Sequence, residues 1–419
     1  MKQTIILFLF LFPIFLTAQT IQYRGPNRDG IYPETGLLKQ WPEAGPKLLL
    51  EVNGIGNGWS SAVISNEKIY ITGMIDSLDY LSCADLNGKI LWKTSYGRSW
   101  NQTFPDTRST PTISNDKAYV ATGMGVVACI NATTGKLIWS VDAFKNNEGS
   151  TGIWGVAESV LLVDGKAIFT AGGNKTTMVA LDAETGKEIW KTESLHDNIA
   201  YVSPILVERN GKKQIVGLGA KILFGVNPDN GAIVWNYDYC HIDDAEWGEE
   251  GAVINCTSPL YHNGFLYVTS GYNHTGAKFK MKDDLSGVEF LWKDEVLDNH
   301  HGGVVLIDGY IYGSNWVNNG KGDWCCISFD NGETKYQTTF KNKGSIVAAD
   351  GMLYIYTEQP GFVGLVKPNP EKFDLVSSFP VTKGTGPCWA HPSIYDGKLF
   401  IRHGEVLMVY DVKKTPPAP

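Results

Sequence analysis

Short runs of apolar residues recur along the chain, broken by turn-forming residues about every eight to twelve positions. Between Ser109 and Val141 the order is STPTIS, then the turn NDK, then AYVATG, VVACINA, the turn TTGK and LIWSV. Each run has the length of a strand, so this unit predicts four strands joined by tight turns. The glycine of TTGK supplies the positive φ that a tight hairpin needs, and the upstream Asn or Asp can bond its own backbone. Variants of the last turn and strand recur. DLNGKILW ends at Trp92, NATTGKLIW at Trp139, AETGKEIW at Trp190, PDNGAIVW at Trp235 and LSGVEFLW at Trp292, at intervals of 47, 51, 45 and 57 residues.

A four-stranded unit of this period is a propeller blade. Two weaker copies follow: DNGETKY places Tyr336 where tryptophan is expected, and KFDLVSSF closes another at about Val376. The last copy, AHPSIYDGKLFIRHGEVLMVYDVKK, has three strands, and GPKLLLEV at residues 45–52 matches its missing outer strand, with Leu50 at the tryptophan position. The expectation is an all-β, eight-bladed propeller of four-stranded antiparallel blades, closed by an N-terminal strand that completes the last blade. Each tryptophan would dock on the next blade and bury about 150–250 Å².

The first residues, MKQTIILFLFLFPIFLTAQT, join one positive charge to an apolar run that ends in small residues. This reads as a secretory signal over residues 1–18, which predicts a periplasmic or secreted protein with no membrane span after cleavage. Residues 19–44 form a Gly- and Pro-rich lead-in expected to lie across one face; residues 45–414 form a single propeller domain, and 415–419 a disordered tail. A net charge of −8 offers no basic surface for nucleic acid. The seven cysteines make neither a disulfide framework nor a zinc spacing. The loop YCHIDDAEWGEEGAVIN (239–255), holding Asp243, Asp244, Glu246, Glu249 and Glu250 with Trp247, reads as a solvated acidic excursion, with a cation site as the alternative. GYNHTGAKFK reads as a second excursion with Tyr272 and His274.

The first strand of each blade lines the central channel, so the residues just before it gather at one mouth. Aligning the copies on their NDK or DGK turns gives the column Trp59, Arg108, Ala157, Tyr201, Cys256, His301, Lys343 and Trp389. Two positions later come Ser61, Thr110, Ser159, Ser203, Ser258, Gly303, Ser345 and His391; Glu158 falls between the columns. The first column mixes ionisable and aromatic types, as an asymmetric ligand requires. Arg108, Lys343 and His301 make the mouth positive. Trp59 and Trp389 can stack on a flat ring, and Glu158 adds a carboxylate. A small, anionic or sugar-like ligand is expected, with His301, His391 and Tyr201 as candidate catalytic groups.

RGPNRDGIYPETGLL, LDNHHGGVVLIDGYIYGSN, KGSIVAADGMLY and WAHPSIYDGKLF, together with the tryptophan turns, resemble an exported bacterial subgroup of the PQQ-like propellers, which carry the quinoprotein tryptophan-docking repeat. That resemblance covers nearly all of the chain after residue 18. It implies pyrroloquinoline quinone with calcium as the cofactor of a dehydrogenase, or a scaffold with a protein partner and no cofactor. Such dehydrogenases carry adjacent cysteines disulfide-bonded against the quinone. The pair here, Cys325 and Cys326, aligns instead with a third strand, where neighbours face opposite ways. Glu158 and Asn255 stand near the place of the calcium ligands that the resemblance implies, and Asp298 is the nearest candidate for its catalytic aspartate. Three function classes remain open: a quinone-dependent alcohol or sugar oxidoreductase, a cofactor-free carbohydrate enzyme of lyase type, and a non-catalytic binding or scaffold propeller.

Overall fold

The computed structural model describes residues 20–242 and 254–414; the expected leader, the five loop carboxylates with Trp247, and the tail lie outside them. The described strands form eight sheets. Blade 1 runs from Val63 to Arg98, blade 2 from Thr112 to Asp142, blade 3 from Leu161 to Lys191 and blade 4 from Ile205 to Asp238. Blade 5 runs from Leu260 to Asp294, blade 6 from Val304 to Thr338 and blade 7 from Gly344 to Pro380. Blade 8 pairs Ser393–Tyr395, Lys398–His403 and Val406–Asp411 with Lys47–Val52, so the N-terminal strand closes the ring. No described helix is long and apolar enough to cross a membrane.

A register shift interrupts the pairing of third and fourth strands in every blade, and in blade 2 it falls between Leu137 and Trp139. Such a bulge re-aims the next side chain. Here it turns Trp139 and Trp190 onto the glycine of the following blade's turn: a Cβ on Gly186 would stand 2.8 Å from the Trp139 ring, and one on Gly231 2.6 Å from Trp190. The indole N–H of Trp139 then donates to Ala183 O at 3.0 Å, and that of Trp190 to Pro228 O at 2.9 Å. Leu50 meets Gly88 in the same way. In blade 7 the equivalent position is Ser377, one residue after Val376, because the shift falls between Leu365 and Val366. Phe379 takes over the docking there. It packs under Gly45, and Trp41 from the lead-in stands against it with ring centroids 5.4 Å apart.

The serine and threonine column staples neighbouring inner strands. Ser61 N–H donates to Thr110 Oγ1 (3.0 Å), Thr110 N–H to Ser159 Oγ (3.1 Å) and Ser159 N–H to Ser203 Oγ (3.0 Å). Across the closure, Ser393 Oγ donates to Ala62 O at 2.7 Å. These hydroxyls satisfy strand-end donors that would otherwise be buried and unpaired.

The lead-in departs from the expectation of a strap across one face. Residues 21–32 enter the bore. Ile21 bridges Ile113 of blade 2, and Ile31–Tyr32 pair in parallel with Ala348 and Ala349 of blade 7. Between them Arg24 donates to Gly302 O, Val304 O and Ile346 O, while Arg28 donates to Ser159 O, Val160 O and Pro204 O. Inner-strand ends leave carbonyls facing the axis, and two buried guanidinium groups collect them. Gly25 and Gly30 make this possible: both have positive φ, and a Cβ on Gly30 would run into the Arg24 guanidinium.

Candidate functional site at the channel mouth

Above this plug lies a cavity of about 610 Å³ with Tyr23 in its lining. In each blade the first strand runs away from the mouth and the second returns to it, so lining residues come from run-ins and run-outs alike. Trp59, Arg108, Ala157, Tyr201, Cys256, His301 and Trp389, seven of the eight column residues, line the cavity as run-ins. Tyr272, Asn319 and Glu358 line it as run-outs; sequence alignment on the first strands passed over them, although the hairpin topology returns them to the same rim. His300, Phe104 and Trp154 complete much of the wall.

One side is aromatic and cationic. The Arg108 guanidinium lies 4.6 Å over the Trp59 ring, and Trp59 meets Trp389 edge-on at 4.5 Å. Arg108 donates to the backbone oxygens of Phe104 and Asp106 and makes no ion pair among the described residues. Burial pulls its pKa down to about 10, which leaves it charged at neutral pH. Tyr201 faces Trp154 at 5.8 Å, and burial raises its hydroxyl to about 12.

The other side carries the ionisable cluster. His300 and His301 are sequence neighbours whose rings nonetheless stand together, 4.3 Å apart, because the chain bends there. His301 Nε2 is 3.3 Å from Glu358 Oε1, and Lys343 Nζ is 3.6 Å from Glu358 Oε2. Burial raises the Glu358 carboxyl to about 7 against the pull of Lys343. Burial, with Lys343 adding to it, drops His300 to about 3 and holds His301 well below its usual value, so both rings are neutral.

Three site residues behave differently from the expectation. Lys343 does not line the cavity: its ammonium turns into the gap between blades 6 and 7, donating to Asn318 O and Asn319 O at 2.9 and 2.8 Å. Glu158 also points away, accepting from Thr170 N–H beneath its own blade at 3.1 Å. His391 reaches the cavity but has both ring nitrogens engaged. Its Nδ1 accepts from Arg24 at 2.8 Å, so the proton is on Nε2, which donates to His301 O at 3.0 Å with the Tyr23 hydroxyl 3.2 Å away.

With the geometry in place, comparison with known proteins is informative. A family model described as outer membrane protein assembly factor BamB, of the PQQ_2 type, matches residues 79–338, more than half of the chain. The chain belongs to this PQQ-like propeller family. Among its curated relatives is the outer membrane protein assembly factor BamB of Kangiella koreensis, 28% identical over 32% of this chain and 32% of that protein. The chain thus aligns with about a third of that relative's own length. The crystal structure of BamB from Moraxella catarrhalis matches with a TM-score of 0.63 at 15% identity, covering 87% of this chain and 99% of that one. The quinohemoprotein alcohol dehydrogenase of Comamonas testosteroni matches with a TM-score of 0.66 at 11% identity, covering 94% of this chain and 80% of that one. At such identities the two structures share the propeller fold.

The quinone-and-calcium site implied by some PQQ-like propellers does not fit these residues. Cys325 and Cys326 are free, lie on the third strand of blade 6 and pack into two different cores. The oxygen donors do not gather. Glu158 is turned inward, Asn255 donates its amide N–H to Gly219 O and Ala220 O and does not line the cavity, and Asp298 accepts from Asn273 and Trp316 N–H in a separate depression. A hard cation needs about six to eight oxygens converging on one point.

Proposed function

We propose that the channel mouth of this exported PQQ-like propeller binds a small anionic, sugar-sized ligand. One observation carries the reading: Arg108, without a carboxylate partner among the described residues, stacks on Trp59 at the rim of an aromatic-walled cavity. A guanidinium in that setting receives a carboxylate or phosphate, and flat rings of tryptophan and tyrosine receive a pyranose face. A lyase-type reaction on such a ligand is a second reading, favoured by Tyr201 and His301 lining the same cavity as Arg108. The scaffold reading draws on the BamB relatives and the quinone reading on the alcohol dehydrogenase.

Calorimetric titration tests the proposal with glucuronate and galacturonate against their neutral parent sugars. The acids should bind more tightly, and Arg108→Ala should weaken them by about tenfold to a hundredfold while leaving the neutral sugars little changed. Equal binding of acids by wild type and variant would remove the basis of the reading. A quinone absorbance change on adding pyrroloquinoline quinone with Ca²⁺ would favour the oxidoreductase instead.

A further inference from the structure

We infer that His300, His301 and Glu358 form a site for a divalent transition cation in the wall of the channel-mouth cavity. Each residue offers one ligand atom, and the three atoms lie within 4.8 Å of one another. Small side-chain rotations bring such a trio onto one ion at the usual distance of about 2.0–2.2 Å.

Hydrogen bonding leaves this cluster incomplete. His300 Nδ1 is buried with no hydrogen-bond partner, and His301 Nε2, also buried, faces Glu358 Oε1 at 3.3 Å without making a hydrogen bond to it. Buried ring nitrogens are almost always satisfied, so a trio left in this state has room for a shared partner. Glu358 is prepared in a complementary way. Lys343 stands beside Oε2 and Trp389 also hydrogen-bonds the carboxylate, which orients it with Oε1 turned to His301 Nε2 at 3.3 Å. Neighbours fix the frame: Tyr272 meets His300 edge-on at 5.0 Å, Trp389 meets His301 at 5.3 Å, and His391 holds the His301 carbonyl. Outer contacts of this kind set ligand orientation in metal centres.

The donor set chooses the class of ion. Two imidazoles and one carboxylate suit zinc, manganese, iron or cobalt in the divalent state, whereas calcium and magnesium prefer oxygen. All three residues line the cavity, so the positions left open on the ion face its interior. The open positions are where an anionic ligand would meet a second positive centre opposite Arg108. His301 would then act as a cation ligand, with Tyr201 the remaining proton-transfer group. Cation uptake can be measured with no sugar present, so this inference can fail without touching the ligand reading, and the reverse.

The test is metal analysis of the full chain. After chelator treatment and dialysis, protein is titrated with Zn²⁺ and with Co²⁺ in competition with a chromophoric chelator, and bound metal is counted by mass spectrometry. One ion per chain is expected, with visible Co²⁺ bands of a nitrogen–oxygen site. His301→Ala and Glu358→Gln should each weaken uptake by about a hundredfold. Cys256→Ser, which changes another cavity-lining donor outside the trio, should leave uptake intact. If Glu358→Gln fails to fold, His300→Ala carries the same expectation at the rim. No stoichiometric uptake by wild type, or uptake unchanged in His300→Ala and His301→Ala, overturns the inference.

Discussion

Glu158, Arg24 and Arg28 are charged residues that the fold takes fully inside, and each has a defined partner there. The Glu158 carboxyl is pushed up to about 8, first by burial, with Thr170 and the Arg28 charge opposing. The sign follows. A carboxyl raised in the folded state contributes stability that is complete below its unfolded value near 4.5 and is lost as pH rises through about 8. Glu158→Gln keeps an oxygen for the Thr170 N–H and removes the ionisation. Relative to that variant, wild type should lose stability between these two values, by up to about 1.4 kcal/mol per pH unit. Denaturant titrations at four or five pH values check it, and a constant difference would show that Glu158 is already hydrated in the fold. The residues of RGPNRDG were visible in the chain but their destination was not. Arginine is ordinarily a surface residue, and only the ring of inward carbonyls explains why two of them go down the axis.

At the scale of strands and turns, the tryptophan repeat was legible because Trp92, Trp139, Trp190 and Trp292 solve the same local problem: a bulge swings the ring sideways, and a glycine one blade on leaves room for it. Trp235 departs from this, its indole N–H donating to Gln214 Oε1, and Phe379 takes the docking place in blade 7. Gly186→Ala should therefore be costly twice over, through its positive φ of 72° and through the clash with Trp139. A loss of about 2–4 kcal/mol is expected, against about 0.5 kcal/mol for alanine at an exposed strand position. Thermal melts of the two variants decide the matter; equal costs would mean that the turn and the ring are not coupled. The mouth was half legible for a related reason. Run-ins repeat in register with the NDK and DGK turns, which is why Arg108, Tyr201, His301 and Trp389 could be aligned. Run-outs differ in length and sequence from blade to blade, so Tyr272, Asn319 and Glu358 gave no column to read. Lys343 was in the column yet turned away, because the carbonyls of Asn318 and Asn319 accept from its ammonium, with the Glu358 carboxylate beside them.

Taken whole, the molecule depends on one pairing between distant parts of the chain, Lys47–Val52 against Val406–Asp411. Deleting residues 45–52 should leave blade 8 with three strands and an exposed edge, lower the unfolding midpoint and broaden the transition. Self-association through that edge should appear on size exclusion. A variant that stayed monomeric with an unchanged, sharp transition would show that closure contributes little. The plug beneath the mouth carries a different implication. Among the described residues, a well stoppered below by Tyr23, Arg24 and Arg28 has its doorway at the mouth. Arrivals and departures must share it, so a spent molecule left inside bars its successor. A polymer cannot be threaded through such a hub, and only a chain tip or a dangling branch can be offered to it.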